Sequence, residues 1–422
     1  MTTIGAIADD LTGATDLAIV LTAAGFRTAV VPGEAVSGGL PPAADGTDAV
    51  VVALKSRTAP PAEAVAGSLA ALSALRAHGC DRILFKYCST FDSTPGGNIG
   101  PVADALLDAL GAPWTVVAPA FPANGRTVYR GHLFVGDDPL DESPMRDHPL
   151  TPMRDSSLPR LLAPQVRGGA GAVGLVPLPA VTAGPAALRA ALDGQAAAGA
   201  RHVVVDAVCD ADLVTLVEAT ADLPLLTGGS AVAQGLAGPH AAAEAAIPAA
   251  GDGPRVVLSG SASQATRAQV RAGAAAGRGI RLDPAALRRD PAGTHRAVAE
   301  EALACSPADG PVVVYATGDD GDLSGPEAAP LFEEALGAVA RLLVERGVRR
   351  LVVAGGETSG AVVAALGVRG LVVGPRLDPG VAWARAERGP DEEPLGLVLK
   401  SGNFGGADLF VRAWDAAPDG AR

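Results

Sequence analysis

Short apolar runs recur along this chain, and each is followed by a stretch with helical spacing. That alternation confines the fold to the α/β class. Residues 4–8, 27–31, 49–54, 83–87 and 114–118 read as strands, with helices over about 62–78 and 101–110. The rhythm resumes at 173–176, 202–206 and 225–226. A second series runs through 255–258, 311–315, 350–353, 370–373 and 396–399. The runs are continuously apolar rather than alternating, as in parallel strands covered on both faces. Between the two series, residues 246–254 (AIPAAGDGP) read as a linker. The expectation is two α/β domains, 1–247 and 255–422, each a mainly parallel sheet flanked by helices. A chain of 422 residues can bury two cores, and with aromatics at 3% those cores must be Ala, Val and Leu. No short-period repeat is present.

The first strand ends in Asp9 and Asp10, with Gly13 after them and then Ala14, Leu17, Ala18 and Leu21 at helical spacing. Strand, tight loop and helix follow from that order. Ligands of open α/β sheets bind at the carboxyl ends of the strands. Helix capping accounts for one of the two aspartates and less well for both. Adjacent carboxylates suit sugar hydroxyls, a magnesium ion or a proton to be removed. Lys55-Ser56-Arg57 follows another strand, and the segment from Lys86 through Asp92 to Thr94 spans the end of a third. The glycine-rich loop 95–101 then opens a helix, with Pro101 suited to the first helical position. Its backbone N–H groups would approach an anion. Asp9, Asp10, Lys55, Arg57, Lys86 and Asp92 at neighbouring strand ends can hold a small polyhydroxy carboxylate, Arg gripping the carboxylate and Asp the hydroxyls. Arg126 is a further candidate for that carboxylate; its alternative is a salt bridge within its own loop.

Residues 121–158 break the pattern and are rich in Pro, Asp, Arg and His. A hairpin over 126–135, turning at Gly131-His132, is the one element expected there. A loop this long is usually functional or disordered. His132 and His148 read as hydrogen-bonding loop histidines rather than acid–base groups.

In the second half, three strands end in small-residue loops: Ser259 to Ser263, Gly355 to Gly360, and Lys400 to Gly406. Such loops at helix N-termini cradle phosphates. None has P-loop spacing, and no G-x-G-x-x-G follows a strand, which argues against a dinucleotide cofactor. A hydroxy-acid pocket in one half and a phosphate cradle in the other is the division of a two-domain kinase. Closure would exclude water, and catalysis would rest on positioning and charge stabilisation.

The remaining features are exclusions. With 33 basic against 46 acidic residues the net charge is −13, and no basic stripe suggests a nucleic-acid partner. Cys80, Cys88, Cys209 and Cys305 are isolated, so neither a zinc site nor a redox dithiol is expected. No apolar run reaches membrane-spanning length and no leader pattern opens the chain, so a cytoplasmic protein without a membrane partner is expected. A homo-oligomer is left open.

Several segments resemble the four-carbon acid sugar kinase family, most closely its branch acting on 3-oxo-tetronates. They are Ile7-Ala8-Asp9-Asp10-Leu11-Thr12-Gly13-Ala14, Phe85 to Thr94, Gly97 to Val102, Pro119 to Pro122, Asn124 to Thr127, Gly131 to Val135, His148 to Met153, Gly355 to Ser359 and Lys400 to Gly405. The resemblance runs nearly end to end. It implies ATP-dependent phosphorylation of the C4 hydroxyl, with a product that feeds decarboxylation to a triose phosphate. It also implies an acid sugar in the N-terminal domain and ATP in the C-terminal one, held at Ser259, at Gly355, Gly356, Glu357 and Thr358, and at Gly402. Magnesium would bridge the phosphates. Asp9 or Asp10 as general base is our own inference. Leu11 stands where the family commonly has Phe, and 163–200 and 318–325 diverge. A D-threonate or D-erythronate 4-kinase is the nearest alternative. A dinucleotide-dependent oxidoreductase and a non-catalytic sugar-acid binding protein are remote ones.

Overall fold

A computed structural model describes residues 3–36, 38–148, 151–241, 243–249, 253–319, 326–389 and 391–415. The chain forms two compact units, Met1–Ala243 and Glu244–Arg422.

The strands of the first unit are β1 (Thr3–Ala8), β2 (Thr28–Pro32), β3 (Ala49–Ala53), β4 (Cys80–Lys86), β5 (Thr115–Ala118), β6 (Arg126–Tyr129), β7 (His132–Val135), β8 (Asp138–Pro139), β9 (Val173–Val176), β10 (His202–Val205) and β11 (Leu225–Gly228). Its main sheet runs β2-β3-β1-β4-β11-β5-β10-β9, and every pairing is parallel. Strands such as TAVVP and AVVVA are buried along their whole length, as expected for strands covered on both faces. β1 has β3 on one side and β4 on the other, so the chain reverses its direction of sheet growth beside β1. That crevice is where open sheets bind ligands. Three helices bear on it: α1 (Leu11–Ala23), α2 (Pro61–Ala77) and α3 (Ile99–Leu110).

The described residues of 121–158 carry regular structure beyond the one hairpin expected there. β6, β7 and β8 form a small antiparallel sheet. Leu133, Leu140, Met153 and Leu158 are fully buried in the unit's core. β6 and β7 are the hairpin expected over 126–135, whereas β8, with two residues, is too short to show a period. The hairpin turns at Arg130-Gly131, one residue earlier than expected, and both residues have positive φ. Asp206 fastens this turn, accepting the N–H groups of Arg130 at 2.7 Å and Gly131 at 2.8 Å. Pro149 and Leu150 of the His148 to Met153 segment lie outside the described residues.

The second unit contains β12 (Val256–Ser259), β13 (Arg278–Arg281), β14 (Val312–Tyr315), β15 (Arg350–Ala354), β16 (Gly370–Asp378), β17 (Val381–Glu387) and β18 (Leu395–Lys400). They run β13-β14-β12-β15-β18-β17-β16. The first five are parallel, whereas β17 is antiparallel to both β16 and β18. β13 and β17 were not expected, because RGIR and VAWARAE carry charges inside the strand. A hairpin through Pro379-Gly380, with Gly380 at φ +70°, produces the antiparallel edge. Ala245 donates to the Val373 carbonyl at 2.7 Å and Ile247 is buried in the second unit's core, so residues 244–247 go with that unit. Positions 250–252 of the expected linker and 320–325 of the divergent stretch lie outside the described residues. No helix among the described residues is long and apolar enough to cross a membrane.

Candidate active site

Asp9 and Asp10 follow β1 directly, at the switch point. Asp10 caps α1: its Oδ1 accepts the Gly13 N–H at 2.7 Å and its Oδ2 the Thr12 hydroxyl at 3.1 Å. Asp9 is not a cap. It is buried, and Arg57 forks onto it, Nε to Oδ2 at 2.8 Å and Nη2 to Oδ1 at 2.9 Å. The same Nη2 lies 3.0 Å from Asp10 Oδ1. One guanidinium therefore serves both carboxylates. Burial pushes the Asp10 carboxyl up, but Arg57, Lys86, the Gly13 N–H and the Thr12 hydroxyl together outweigh it and hold Asp10 below its ordinary value. Burial opposes the charge on Arg57, yet Asp9 and Asp10 hold its pKa well above normal.

The strap carrying Arg57 is fixed from below. The Ser56 and Arg57 N–H groups both donate to the Asp9 carbonyl, at 2.9 and 3.1 Å. Buried Asn98, just before α3, donates its side-chain amide to the carbonyls of Ser56 at 2.7 Å and Ala59 at 3.0 Å. The sequence reading missed Asn98, which looked like one more polar residue in a glycine-rich loop. Lys55, in the same strap, is exposed.

β4 delivers Lys86, buried beside the Asp10 corner, where a Cβ on Gly13 would overlap both Lys86 Nζ and Asp10 Oδ1. The chain then turns sharply through Phe91, a bulky residue at φ +52°. Such a conformation costs about 1–3 kcal/mol. Phe91 is fully buried edge-on to Tyr87, with ring centroids 5.5 Å apart, and that packing holds the turn. The result is a chain of polar contacts, Cys88 Sγ to Thr90 Oγ1 at 2.9 Å and Thr90 Oγ1 donating to Asp92 Oδ1 at 2.6 Å. Burial pushes the Cys88 thiol up to about 11.

Two expectations are corrected here. α3 begins at Ile99, so Pro101 is its third residue; it is tolerated because no first-turn N–H has an intrahelical partner. The glycine loop before α3 is also not an open anion cradle. Gly97 donates to the Thr94 carbonyl at 2.8 Å, and Gly100 donates to Gln165 Oε1 at 3.2 Å. Arg126 lies after β5, on the same carboxyl edge of the sheet. Its Nη1 donates to the Asn124 carbonyl and its buried Nε has no acceptor among the described residues. His132 bonds Ser156 and His148 bonds Thr151, as expected of loop histidines.

In the second unit, a cavity of about 310 Å³ is lined by residues of all three small-residue loops, including Gly260, Ser261, Gly355, Gly356, Glu357, Thr358 and Gly402. Ser259, at the end of β12, is fully buried behind it, with an Oγ lacking a partner among the described residues. Side chains are excluded from the cradle: a Cβ on Gly260 would overlap Thr358 Oγ1, and one on Gly402 would come within 2.6 Å of Ser261 Oγ. The helix Gly356–Ala365 starts at the cavity wall, and its first N–H groups are the ones a helix leaves without internal partners. Phe332 and Glu333, from the helix Ala329–Glu345, close another wall. These were missed because nothing but helical spacing marks them. The donor-rich, glycine-lined floor fits a nucleotide phosphate.

An acidic–basic corner at one switch point and a glycine-lined anion cradle at another define a two-unit protein for a sugar acid and a nucleotide. Matching family profiles agree: one described as a sugar-binding N-terminal domain covers residues 4–236, and one described as a nucleotide-binding C-terminal domain covers 256–410. The chain belongs to the four-carbon acid sugar kinase family. It is 51% identical to the 3-oxo-tetronate kinase of Cupriavidus necator over 97% of this chain and 96% of that one. It is also 51% identical to the Burkholderia multivorans enzyme of the same name, over 99% and 98%. A Salmonella typhimurium protein of known crystal structure superposes with a TM-score of 0.87 at 43% identity, covering 98% of this chain and 99% of its own.

Proposed function

We propose that this protein transfers the γ-phosphoryl group of ATP to the C4 hydroxyl of a 3-oxo-tetronate, giving the 4-phosphate. The observation that carries the substrate side is the Arg57 fork joining Asp9 and Asp10 at the switch point. Full-length relatives bearing the name 3-oxo-tetronate kinase support the reaction and the acceptor.

In this reading Arg126 takes the substrate carboxylate, since its buried Nε has no acceptor among the described residues. Lys86 and Asp92 orient the hydroxyl and keto groups from β4 and its turn; Lys55 acts at the exposed rim. Asp10, rather than Asp9, receives the C4 proton. Arg57 engages both oxygens of Asp9, whereas among the described residues Asp10 Oδ2 accepts only the Thr12 hydroxyl, and the Asp10 side chain is 26% exposed against 6% for Asp9. Asp9 then acts by holding Arg57. Asp10 is ionised at neutral pH, as a base must be.

The nucleotide sits in the glycine-lined cavity of the second unit, with the Gly355 to Thr358 loop and Gly402 around its phosphates and Ser259 behind them. Glu333 and Glu357 line that cavity, and among the described residues no Lys or Arg does. A polyphosphate beside two carboxylates requires a cation. Glu333 and Glu357 would hold a magnesium ion beside the nucleotide, where it would supply the positive charge that offsets the charge developing on transfer. Among the described residues no cluster of three or more His, Cys, Asp or Glu could hold a metal.

ADP release in a coupled assay, with 3-oxo-tetronate, D-threonate, L-threonate and D-erythronate offered separately, tests the reading. Turnover of the 3-oxo acid well above the reduced acids supports it. Preference for a reduced acid moves the protein to another branch of the family.

A further inference from the structure

The nucleotide cavity is bounded by three separate loops, and one residue outside the cavity ties all three together, two through its side chain and the third through its backbone carbonyl. Lys400, the last residue of β18, is fully buried. Its carbonyl accepts the Gly355 N–H at 3.0 Å, which anchors the loop after β15. Its Nζ donates to Thr266 Oγ1 at 2.7 Å and to the Gly402 carbonyl at 3.1 Å. Thr266 belongs to the helix Gln264–Ala276, which follows β12, and passes the contact on by donating to the same carbonyl at 2.6 Å. Ser263, the N-cap of that helix, donates to it as well, at 2.6 Å. The Gly402 carbonyl thus receives three donors. Because the peptide is planar and trans, fixing that carbonyl also fixes the Asn403 N–H, which points the opposite way.

Stability alone gives no reason for a lysine here. An ammonium taken out of water is costly unless paired with an opposite charge. The contacts around Nζ are a hydroxyl, a carbonyl and the Phe410 ring, whose centroid is 5.9 Å away. Burial lowers the Lys400 pKa to about 7, and no charged side chain from the surrounding elements contributes to that shift. An apolar side chain of similar length would fill the space at lower cost.

We propose that Lys400 is a positioning residue for the nucleotide, holding the Gly402 carbonyl through Thr266 so that the three loops keep one phosphate-binding geometry. The proposal rests on the nucleotide reading of this cavity. Lys400 does not line the cavity, so its effect on nucleotide is indirect.

The test compares the native protein with Lys400→Met, Thr266→Val and the double variant, using ADP titration calorimetry, steady-state kinetics and thermal melting. Lys400→Met is expected to raise the Kd for ADP and the KM for ATP about tenfold, with the KM for the acid sugar unchanged. Its melting temperature should be no lower than native. Thr266→Val should shift the same constants in the same direction, and the double variant should be no worse than Lys400→Met, because both act on one carbonyl. ADP titrated at pH 8 in buffers of different ionisation heat should show proton uptake by the native protein that Lys400→Met lacks. If Lys400→Met fails to fold, Thr266→Val carries the test through its Kd for ADP. Unchanged ADP and ATP constants in both variants, with the native protein binding ADP, overturn the role of Lys400 and leave the nucleotide reading intact. No ADP binding by the native protein overturns both.

Discussion

Arg57 closes a fork on Asp9, with Nε and Nη2 at 2.8 and 2.9 Å from the two carboxylate oxygens, and the same Nη2 lies 3.0 Å from Asp10. This relationship separates two aspartates that look equivalent in the sequence. Arg57 engages both oxygens of Asp9, whereas Asp10 Oδ2 accepts the Thr12 hydroxyl, and in the proposed reaction Asp10 takes the C4 proton.

Asp10→Asn is therefore expected to lower kcat by about 10²–10⁴-fold, the usual worth of a general base, with the KM for the acid sugar little changed. Asp9→Asn should raise that KM as well, because Arg57 loses its partner. Steady-state kinetics on the two variants separates these outcomes. Near-native turnover in Asp10→Asn contradicts the assignment.

The Asp10 pKa is depressed, so its charged form is the stabilised one. Its contribution is present above the ordinary value of 3.8 and is lost only as pH falls through the lower folded value. The pH profile of kcat/KM should accordingly show no loss attributable to Asp10 between pH 7 and about 5. An acid limb near pH 6 that disappears in Asp10→Asn would contradict this.

Arg57→Lys keeps a positive charge but cannot form the fork. Loss of one charge-assisted bond, at about 1.5–3 kcal/mol, predicts a fall in kcat/KM of about 10–150-fold. Far-UV circular dichroism should be unchanged. Native activity in this variant would show that charge alone suffices.

Cys88 sits among the proposed substrate residues yet has a thiol raised to about 11 by burial, whereas Cys209 is exposed. Brief alkylation at pH 8 should modify Cys209 first, with activity retained. Mass spectrometry of the labelled protein checks the order. Inactivation that tracks Cys88 labelling would contradict it.

Lys400 also makes a stability prediction. Its folded pKa of about 7 lies below the unfolded value of 10.5, so between these limits the unfolded chain binds the extra proton. Stability then rises with pH across that window, by up to about 1.4 kcal/mol per pH unit. Native protein should gain stability against denaturant between pH 7 and 9 relative to Lys400→Met. Parallel trends in the two proteins would place the titration elsewhere.

The strand order of chemistry was largely readable in the sequence, because continuous apolar runs announce buried parallel strands and the residues at their ends announce the crevice. Asp9, Asp10, Arg57 and Lys86 were found this way and meet at one corner. The glycine loops were equally legible: Gly355, Gly356, Glu357, Thr358 and Gly402 all line one cavity. What stayed hidden depends on long-range contacts. Asn98 clamps a strap some forty residues away in sequence, and Gly100 lost its anion-binding N–H to Gln165. β8 has too few residues to show a period, and β17 hides its strand character behind Arg385 and Glu387. Lys400 was legible only as the start of a small-residue loop, since its contacts run to Thr266, a distant helix residue.

The most direct test of the central claim is the ADP-release rate with ATP, magnesium and 3-oxo-tetronate, measured beside the three reduced four-carbon acids. The account predicts turnover that requires both ATP and the 3-oxo acid, exceeds that of each reduced acid, and falls by at least about 10²-fold in Asp10→Asn. Equal or faster turnover of a reduced acid, or turnover of the 3-oxo acid untouched by Asp10→Asn, would contradict it.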